Sequence, residues 1–262
     1  MIKAKKSLGQ NFLIDNNVID RISNILNINN KTILEVGPGT GNLTTSLLDK
    51  KPKKFYVVEK DGDLSELLKK KFNNKIIIIN DDILNLDENS ISKDKLIVFG
   101  NLPYNISTEI LCKWILNLNN EKFWFENLIL MFQKEVANRI ISDYNCSDYG
   151  RLSILANWKL DIKKIMDIKP NSFQPKPKVE STVLFFEPKK NFEKFKDAKN
   201  LEKITRIFFM HRRKMIKKPF NQLFNNNKNI ASELGIDLNL RPQNLDFETY
   251  YELTKRYEFL RS

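Results

Sequence analysis

The sequence predicts an α/β fold followed by a small all-helical domain. Up to about residue 188, short apolar runs typical of buried strands alternate with stretches of helical pattern. Strands that alternate with helices form a mostly parallel sheet covered on both faces. From about residue 191, apolar residues recur instead at helical spacing. We therefore expect two domains, covering residues 1–188 and 189–262.

Seven short apolar segments are the expected strands. They lie at residues 33–36, 55–58, 76–79, 96–99, 128–132, 161–168 and 181–187, and the helices between them include 107–117 and 134–142. Prolines at positions 170, 175 and 177 interrupt the chain before the last strand, because proline cannot donate to a ladder.

A glycine-rich turn follows the first predicted strand. Residues 37–41 read Gly-Pro-Gly-Thr-Gly, and residues 42–48 have the pattern of an opening helix. A strand, a glycine turn and a helix N-terminus together are typical of nucleotide-type sites, since glycine lets the backbone approach a ligand closely. The spacing G-x-G-x-G differs from the dinucleotide pattern G-x-G-x-x-G, so Gly37 and Gly39 favour S-adenosylmethionine over NAD. The alternative is an ordinary turn between a strand and a helix.

Acidic residues end the next two predicted strands. Glu59 stands ~20 positions after the glycines, where a carboxylate is placed to bond ribose hydroxyls. Asp82 follows the strand at 76–79, where a carboxylate can reach an adenine amino group. Ligands of open α/β sheets bind beyond the carboxyl ends of the strands, so we expect both carboxylates in one crevice with Gly37.

Residues 101–104 read Asn-Leu-Pro-Tyr and follow a further apolar strand. Pro103 cannot extend a ladder, so the chain turns there and displays Asn101 and Tyr104 at the end of the strand. The Asn101 oxygen can accept a hydrogen bond from a planar amino group, and the Tyr104 ring can stack on a base. This arrangement suits an enzyme that methylates the amine of adenine or cytosine. The alternative is a strand-to-loop turn with a capping asparagine.

The composition indicates a polyanionic partner. Lys and Arg number 44 against 32 acidic residues, and the net charge of +12 suits nucleic acid or an anionic membrane. No apolar run approaches the ~20 residues needed to span a bilayer. The N-terminus lacks the apolar core of a signal peptide, so we expect a cytoplasmic protein. Cys112 and Cys146 have no metal-ligand spacing, and we expect reduced thiols and no metal.

Seven motifs occur in the order found in one enzyme family. They are QNFL at 10–13, EVGPGTG at 35–41, VEKD at 58–61, GNLPYNIS at 100–107, QKEV at 133–136, YGRLS at 149–153 and FQPKPKVES at 173–181. As a set they resemble the KsgA-type ribosomal RNA adenine N6,N6-dimethyltransferases, from about residue 5 to the C-terminus. The core motifs also occur in the Erm methylases, which act on large-subunit RNA. The run 173–181 and the stretch 234–242 look more like the KsgA type.

The resemblance implies a Rossmann-like sheet that binds S-adenosylmethionine, with a final antiparallel strand pair, and a helical RNA-binding domain. It implies two methyl transfers to each of two adjacent adenines near the 3′ end of small-subunit (16S) rRNA. The expected substrate is a partly assembled 30S particle, with a role in 30S subunit biogenesis. We expect the protein to be a monomer.

The resemblance also assigns roles to single residues. Asn11 and Leu13 are implied to fold over the cofactor as a lid. Hydrogen bonds from N6 of the adenine to Asn101 and to the Leu102 carbonyl would draw the nitrogen lone pair toward the methyl group. Phe173 is implied to close the face of the base opposite Tyr104. The alternative for Phe173 is an ordinary core side chain.

Two features of the C-terminal region carry further expectations. Ile204, Ile207, Phe208, His211 and Met215 recur at helical spacing, so His211, the only histidine, is interpreted as structural and not catalytic. Asp246 is the predicted N-cap of a last helix that carries Tyr250, Leu253 and Tyr257.

A basic run is the candidate RNA-binding surface. It contains Arg212, Arg213, Lys214, Lys217 and Lys218. The pairs 213/217 and 214/218 are spaced i,i+4, so much of the charge is predicted to share one helix face and contact phosphates. The lysines at positions 3, 5 and 6 are candidates for a second contact. The alternative is a solvated surface.

Two functions besides rRNA methylation stay open at this point. A DNA amino-methyltransferase would use the same site, but no helix-turn-helix or zinc finger is visible. A non-catalytic RNA-binding assembly or transcription factor would keep the fold, although intact Asn101 and Tyr104 argue against a loss of catalysis.

Overall fold

The computed structural model describes residues 4–5, 8–118 and 122–261. Its strands are β1 (Phe12–Leu13), β2 (Thr32–Val36), β3 (Lys54–Val58), β4 (Ile77–Ile79), β5 (Leu96–Asn101), β6 (Phe125–Gln133), β7 (Leu160–Ile168), β8 (Phe173–Gln174) and β9 (Ser181–Pro188). Its helices are α1 (Asn16–Ser23), α2 (Asn42–Asp49), α3 (Gly62–Phe72), α4 (Ser107–Asn117), α5 (Lys134–Ile141), α6 (Arg151–Lys159), α7 (Ala198–Phe209), α8 (Lys217–Phe224), α9 (Lys228–Glu233) and α10 (Phe247–Phe259). All seven strands predicted from apolar runs are present.

The central sheet has seven strands in the order β4-β3-β2-β5-β6-β9-β7. The pairs from β4 to β6 are parallel, and β9 is antiparallel to β6. The α/β class and the antiparallel strand near the end of the sheet are thus confirmed. All five residues of β2 are buried, which explains why this strand reads as a continuous apolar run.

The strand order reverses between β2 and β5. The chain runs outward from β2 through β3 to β4, and then returns so that β5 pairs with the other side of β2. Such a switch point leaves a crevice beyond the carboxyl ends of the two central strands, because their connections leave in opposite directions. The glycine turn follows β2, and Asn101 ends β5, so both border this crevice.

A short second sheet ties the start of the chain to a late segment. β1 pairs antiparallel with β8, with Phe12 opposite Gln174 and Leu13 opposite Phe173. β1 is therefore paired with a segment more than 150 positions away, a link that β1 is too short to reveal in the sequence.

The described residues form two compact units. The first contains residues up to 113 with 122–137 and 162–188, and the second contains 114–118, 138–161 and 189–261. The last segment of the second unit begins at residue 189, directly after the predicted domain boundary. Residues 138–161, which the prediction placed in the first domain, group instead with the helical end of the chain.

Aromatic side chains form the centre of the second unit. Phe208 and Phe209 of α7 lie 5.6 and 5.8 Å from Tyr250 of α10 between ring centroids. Asp246 caps α10 by accepting the Thr249 amide, as predicted, and Tyr250 and Leu253 of this helix are fully buried.

The predicted helix through residues 204–215 is wrong in its second half. α7 ends at Phe209, His211 is exposed, and the Met215 side chain is 57 % exposed. Residues 210–216 form turns, with the Ile216 amide bound to the Leu240 carbonyl. Pro219 lies in the first turn of α8, where its missing N–H is tolerated, so a second helix begins at Lys217 after the turns. The basic run therefore does not lie on one helix face.

No helix in the described part of the chain is long and apolar enough to cross a membrane.

Candidate active site

A cavity opens at the carboxyl ends of the central strands of the first unit. Its walls come from the N-terminal arm at 8–13, the end of β2 with its glycine turn at 35–40, residues 58–60 after β3, residues 81–84 after β4, and the turn at 101–106. The crevice expected from the sequence is thus formed by segments from four strand ends.

Two positions of the glycine turn, Gly37 and Gly39, have no room for a side chain. Gly39 has φ +58°, and a Cβ on it would lie 2.7 Å from Phe12 Cδ1 of the arm. Gly37 has φ +70°, and a Cβ there would lie 3.2 Å from the Asn101 carbonyl oxygen. These two glycines therefore let the arm and the 101–104 turn approach the loop closely. Lys71 Nζ stabilises the turn by donating hydrogen bonds to the carbonyls of Thr40 and Gly41, at 3.0 and 3.2 Å.

The Glu59 carboxylate is held by backbone amides beside this turn. Gly39 N–H donates to Oε2 at 3.3 Å, and Asp61 N–H donates to Oε1 at 2.9 Å. The residue is 6 % exposed, and burial raises the pKa of Glu59, although these amides offset part of the rise. Each oxygen keeps a lone pair in a fixed direction, which is the geometry needed to accept a vicinal diol.

Asp82 lies on the same cavity wall, after β4. Burial acts to raise its pKa, but the Lys60 Nζ at 2.7 Å and the Leu84 amide at 3.0 Å outweigh it and hold the pKa of Asp82 below its usual range. The carboxylate is therefore charged, and the Lys60 side chain lies beside the position expected to take an amino group.

Asn101 is anchored by its amide nitrogen. Asn101 Nδ2 donates to the Asn11 backbone carbonyl at 2.9 Å. A carbonyl can only accept, so the NH2 must be the group that faces it, and Oδ1 is left as a free acceptor. Leu102 is 1 % exposed and, together with Pro103, forms the neighbouring wall of the cavity.

Tyr104 completes this wall. Its hydroxyl lies 2.5 Å from Ser181 Oγ at the start of β9. Burial raises the pKa of Tyr104, although the bond to Ser181 lowers it in part, so the phenol is neutral at physiological pH. A neutral aromatic ring at the mouth of a cavity is suited to stacking on a base.

The N-terminal arm lies against the cavity through several bonds. Lys5 Nζ pairs with Asp61 at 2.7 Å and Asp63 at 2.8 Å, and Gln10 Nε2 donates to Asp61 at 2.9 Å. Both Asn11 and Leu13, the residues expected to form a lid, line the cavity.

Phe173 occupies a different environment from the one expected. It is 3 % exposed, belongs to the same buried apolar cluster as Leu13 and Met131, and does not line the cavity. The structure therefore shows Phe173 as a core side chain, and its contact with a base stays a proposal.

The residues of the basic run differ in their contacts. Arg212 donates to Gln243 Oε1 and to the carbonyls of Cys146 and Ser147, so this guanidinium holds the second unit together. The other four side chains, Arg213, Lys214, Lys217 and Lys218, are exposed. Lys5 is engaged by two carboxylates, so its phosphate contact stays a prediction, and the lysines at positions 3 and 6 lie outside the described residues.

Sequence reasoning missed Glu35 as a residue of the site. Glu35 lines the cavity at 1 % exposure, and Thr44 Oγ1 donates to its Oε2 at 2.6 Å. Burial raises the pKa of Glu35 to about 8, against the opposing effect of Thr44. A carboxylate within an apolar strand, two residues before the glycine turn, was the available signal.

Ser181 lies at the end of the 173–181 motif, and the sequence indicates no role for it, because its partner Tyr104 is 77 positions away. Within the described residues, no group of three or more His, Cys, Asp or Glu side chains could hold a metal ion, and neither Cys112 nor Cys146 forms a disulfide.

Two solved structures share this fold over nearly the whole chain. The chain resembles a dimethyladenosine transferase from Plasmodium falciparum with a TM-score of 0.76 and 25 % identity, over 95 % of this chain and 98 % of that one. It shares its fold with the 23S rRNA methyltransferase ErmE at a TM-score of 0.68 and 22 % identity, over 95 % and 100 % of the two chains. With the cavity at the switch point, these likenesses place the protein in the class of Rossmann-like S-adenosylmethionine-dependent methyltransferases.

Sequence comparison narrows the class to a family. The family model for ribosomal RNA adenine dimethylase matches residues 1–258, and the chain belongs to this family. A ribosomal RNA small subunit methyltransferase A from Pelagibacter ubique is 66 % identical, over 99 % of both chains. A protein of the same name from Ehrlichia ruminantium is 41 % identical, over 97 % of both chains.

Proposed function

We propose that the protein transfers methyl groups from S-adenosylmethionine to N6 of two adjacent adenines near the 3′ end of small-subunit rRNA, two to each base. The observation that carries this proposal is Asn101, whose amide nitrogen is held by the arm while its oxygen is left free at the cavity. The full-length relatives named as small-subunit methyltransferases favour this RNA over the large-subunit RNA of the Erm type.

The cavity offers hydrogen-bond acceptors and free space that fit the cofactor. Glu59 offers two fixed carboxylate lone pairs for the ribose hydroxyls, and Asp82 offers a charged acceptor for the adenine amine, with Lys60 moving aside. Gly37 and Gly39 leave the space that a side chain would fill. Asn11 and Leu13 would cover the bound molecule from the arm. The cofactor supplies an electrophilic methyl group on a positively charged sulfur.

The target adenine must be made more nucleophilic at N6. Its lone pair is delocalised into the ring, so the amine is a poor nucleophile in its planar form. Hydrogen bonds from N6 to Asn101 Oδ1 and to the Leu102 carbonyl favour a geometry in which the lone pair points out of the plane. Tyr104 holds the base by stacking. After the first transfer N6 loses one proton to solvent, so N6-monomethyladenine keeps one N–H, which can donate to one of these two oxygens, and one lone pair that is open to a second transfer.

Positioning and electrostatics supply most of the catalysis in this proposal. The only histidine of the sequence, His211, is exposed in a turn of the second unit. The carboxylates of Glu59 and Asp82 are assigned to the cofactor. The Tyr104 phenol is neutral at physiological pH, since burial raises its pKa.

We assign RNA phosphate contacts to the exposed members of the basic run, Arg213, Lys214, Lys217 and Lys218. Docking on folded RNA by phosphate position suits a partly assembled 30S particle, while the crevice takes one base that has left its stack. The protein acts as a monomer in this proposal, and its methylation belongs to 30S subunit biogenesis.

Labelled S-adenosylmethionine and purified ribosomal subunits test this function. Unmethylated small subunits and unmethylated large subunits are each incubated with the wild type and with Asn101→Ala. The methyl groups on the rRNA are then located by mass spectrometry. We expect two dimethyladenines in small-subunit rRNA with the wild type and almost none with the variant. Methyl groups only on large-subunit RNA, or only one per adenine, would contradict the assigned substrate. Absence of transfer to either subunit would favour a non-catalytic RNA-binding factor.

A further inference from the structure

Tyr104 is fixed to a residue outside its own motif. Its hydroxyl lies 2.5 Å from Ser181 Oγ, although the two residues are 77 positions apart. Tyr104 belongs to the turn after β5, and Ser181 is the first residue of β9. The antiparallel direction of β9 brings its beginning to the sheet edge where the parallel strands end.

Ser181 is a rigid support. It is fully buried and lies opposite Gln133 in the ladder between β6 and β9. The preceding residue, Glu180, accepts the Lys134 amide at 2.9 Å and pairs with Lys134 Nζ at 2.6 Å. The Ser181 backbone is therefore held by the sheet on one side and by the backbone bond and ion pair of Glu180 on the other.

The hydrogen bond constrains the ring at its far end. The oxygen of tyrosine lies on the axis that runs from Cβ through the ring, so a bond to it fixes the direction in which the ring projects. Without that bond, the first side-chain torsion can visit its other staggered positions. The Tyr104 ring must stack on one base in one orientation, so the rate of methyl transfer should fall when the ring samples several directions.

We propose that Ser181 is a positioning residue for methyl transfer, which acts by holding the Tyr104 ring in the direction that stacks on the target adenine. This inference rests on the proposed function, in which Tyr104 contacts the base. Ser181 itself touches neither the cofactor nor the base, and its effect passes through the Tyr104 hydroxyl alone.

A double-mutant cycle tests the inference. Ser181→Ala, Tyr104→Phe and the double variant are compared with the wild type in single-turnover methyl transfer to unmethylated small ribosomal subunits. Each single variant should slow transfer about fivefold, the rate equivalent of one neutral hydrogen bond, with unchanged affinity for S-adenosylmethionine. The double variant should be no slower than either single one, because both remove the same bond.

Thr182→Val is the matched control. Thr182 is the next residue of β9, is also fully buried, and donates its hydroxyl to Asp167 at 2.6 Å. Its loss should lower the melting temperature without changing the transfer rate of the folded enzyme. If Ser181→Ala and Thr182→Val changed stability alike and neither changed the rate, Ser181 would be only a structural residue.

The outcomes separate this inference from the function on which it rests. Tyr104→Ala removes the ring, and a normal rate in that variant would contradict stacking itself. A slow Tyr104→Ala with a normal Tyr104→Phe would keep stacking and overturn the role of Ser181. Tyr104→Phe breaks the same bond from the other side, so it decides the question even if Ser181→Ala does not fold. Additive losses in the double variant would likewise overturn the inference.

Discussion

Asn101 Nδ2 and the backbone carbonyl of Asn11 are 2.9 Å apart, and this bond joins the arm to the turn at the end of β5. The arm thereby decides which end of the Asn101 amide faces the cavity. The segment expected to cover the cofactor and the group expected to accept the adenine amine are thus parts of one hydrogen-bonded unit.

We predict that Asn101→Ala lowers methyl transfer by ~10²–10³ while S-adenosylmethionine binding falls much less. Asn101→Asp should also be slow, because a carboxylate cannot donate to the Asn11 carbonyl and two acceptors would then face each other. Rates and calorimetric affinities measured on the same preparations check this. Asn24→Ala is the control, since its Nδ2 also donates to a backbone carbonyl, that of Asp20 at 2.8 Å, but the residue does not line the cavity. Full activity in Asn101→Ala would remove the amine-binding role.

We predict that Glu59→Ala weakens S-adenosylmethionine binding by about 1.5–3 kcal/mol, the value of hydrogen bonds to a charged acceptor. Gly39→Ala should weaken it too, since the new Cβ would lie 2.7 Å from Phe12 Cδ1 and displace the arm. Gly235→Ala is a control of similar backbone strain, with φ +63° and open space around the added Cβ. Calorimetry decides the matter, and equal affinities in all four proteins would show that the cofactor binds elsewhere.

We predict that Glu35 makes the protein less stable as pH rises from about 5 to 8. Its pKa is about 8 in the folded chain, against 4.5 for the ordinary group, so the native state holds a proton that the unfolded state has lost. The free energy of unfolding should therefore fall with pH across that window, by on the order of 1 kcal/mol per pH unit, and level off above it.

Urea denaturation of the wild type and Glu35→Gln at several pH values measures this effect. The difference in stability between the two should widen as pH rises, because the amide has no proton to lose. Glu66→Gln is the control, since that carboxylate is exposed and paired with Lys69. Parallel curves for the wild type and Glu35→Gln would mean that Glu35 titrates normally.

We predict that Arg213→Glu with Lys218→Glu weakens binding to small-subunit RNA and leaves cofactor affinity unchanged. The slope of log K against log salt should become shallower by about 0.7–0.9 for each lost phosphate contact. Lys93→Glu with Lys95→Glu is the matched control, because these exposed lysines precede β5 at the opposite edge of the sheet from the cavity. Arg212 is left intact, since it binds Gln243 and two carbonyls. Equal slopes in both double variants would mean that the basic run is a solvated surface that makes no phosphate contacts.

The strands and the cavity could be predicted because their signals are local. β2 and β5 are buried along most of their length, so they read as apolar runs, and Gly37 and Asn101 stand directly at their ends. Parallel strands bring their ends to one edge, which is enough to gather Glu59 and Asp82 there as well.

Longer-range relationships could not be predicted. The end of α7 at Phe209 depends on contacts of Arg212 and Ile216 with residues elsewhere in the second unit, which a periodic apolar pattern does not record. The support of Tyr104 by Ser181 requires the strand order, since nothing between residues 104 and 181 indicates that they meet. Burial of Phe173 in the core follows from the pairing of β1 with β8, two strands of two residues each.

The ladder between β1 and β8 joins segments that a ribosome makes at widely separated times. Phe12 lies opposite Gln174, and Ser181 is added later still. A growing chain that already contains the whole turn from Asn101 to Tyr104 still lacks the pairing of β1 with β8 and the bond from Tyr104 to Ser181. Because domains generally fold as units during synthesis, this edge of the sheet is completed only once β9 has been made. A copy cut short before Ser181 carries every residue of the turn but lacks β9 and the partner of the Tyr104 hydroxyl.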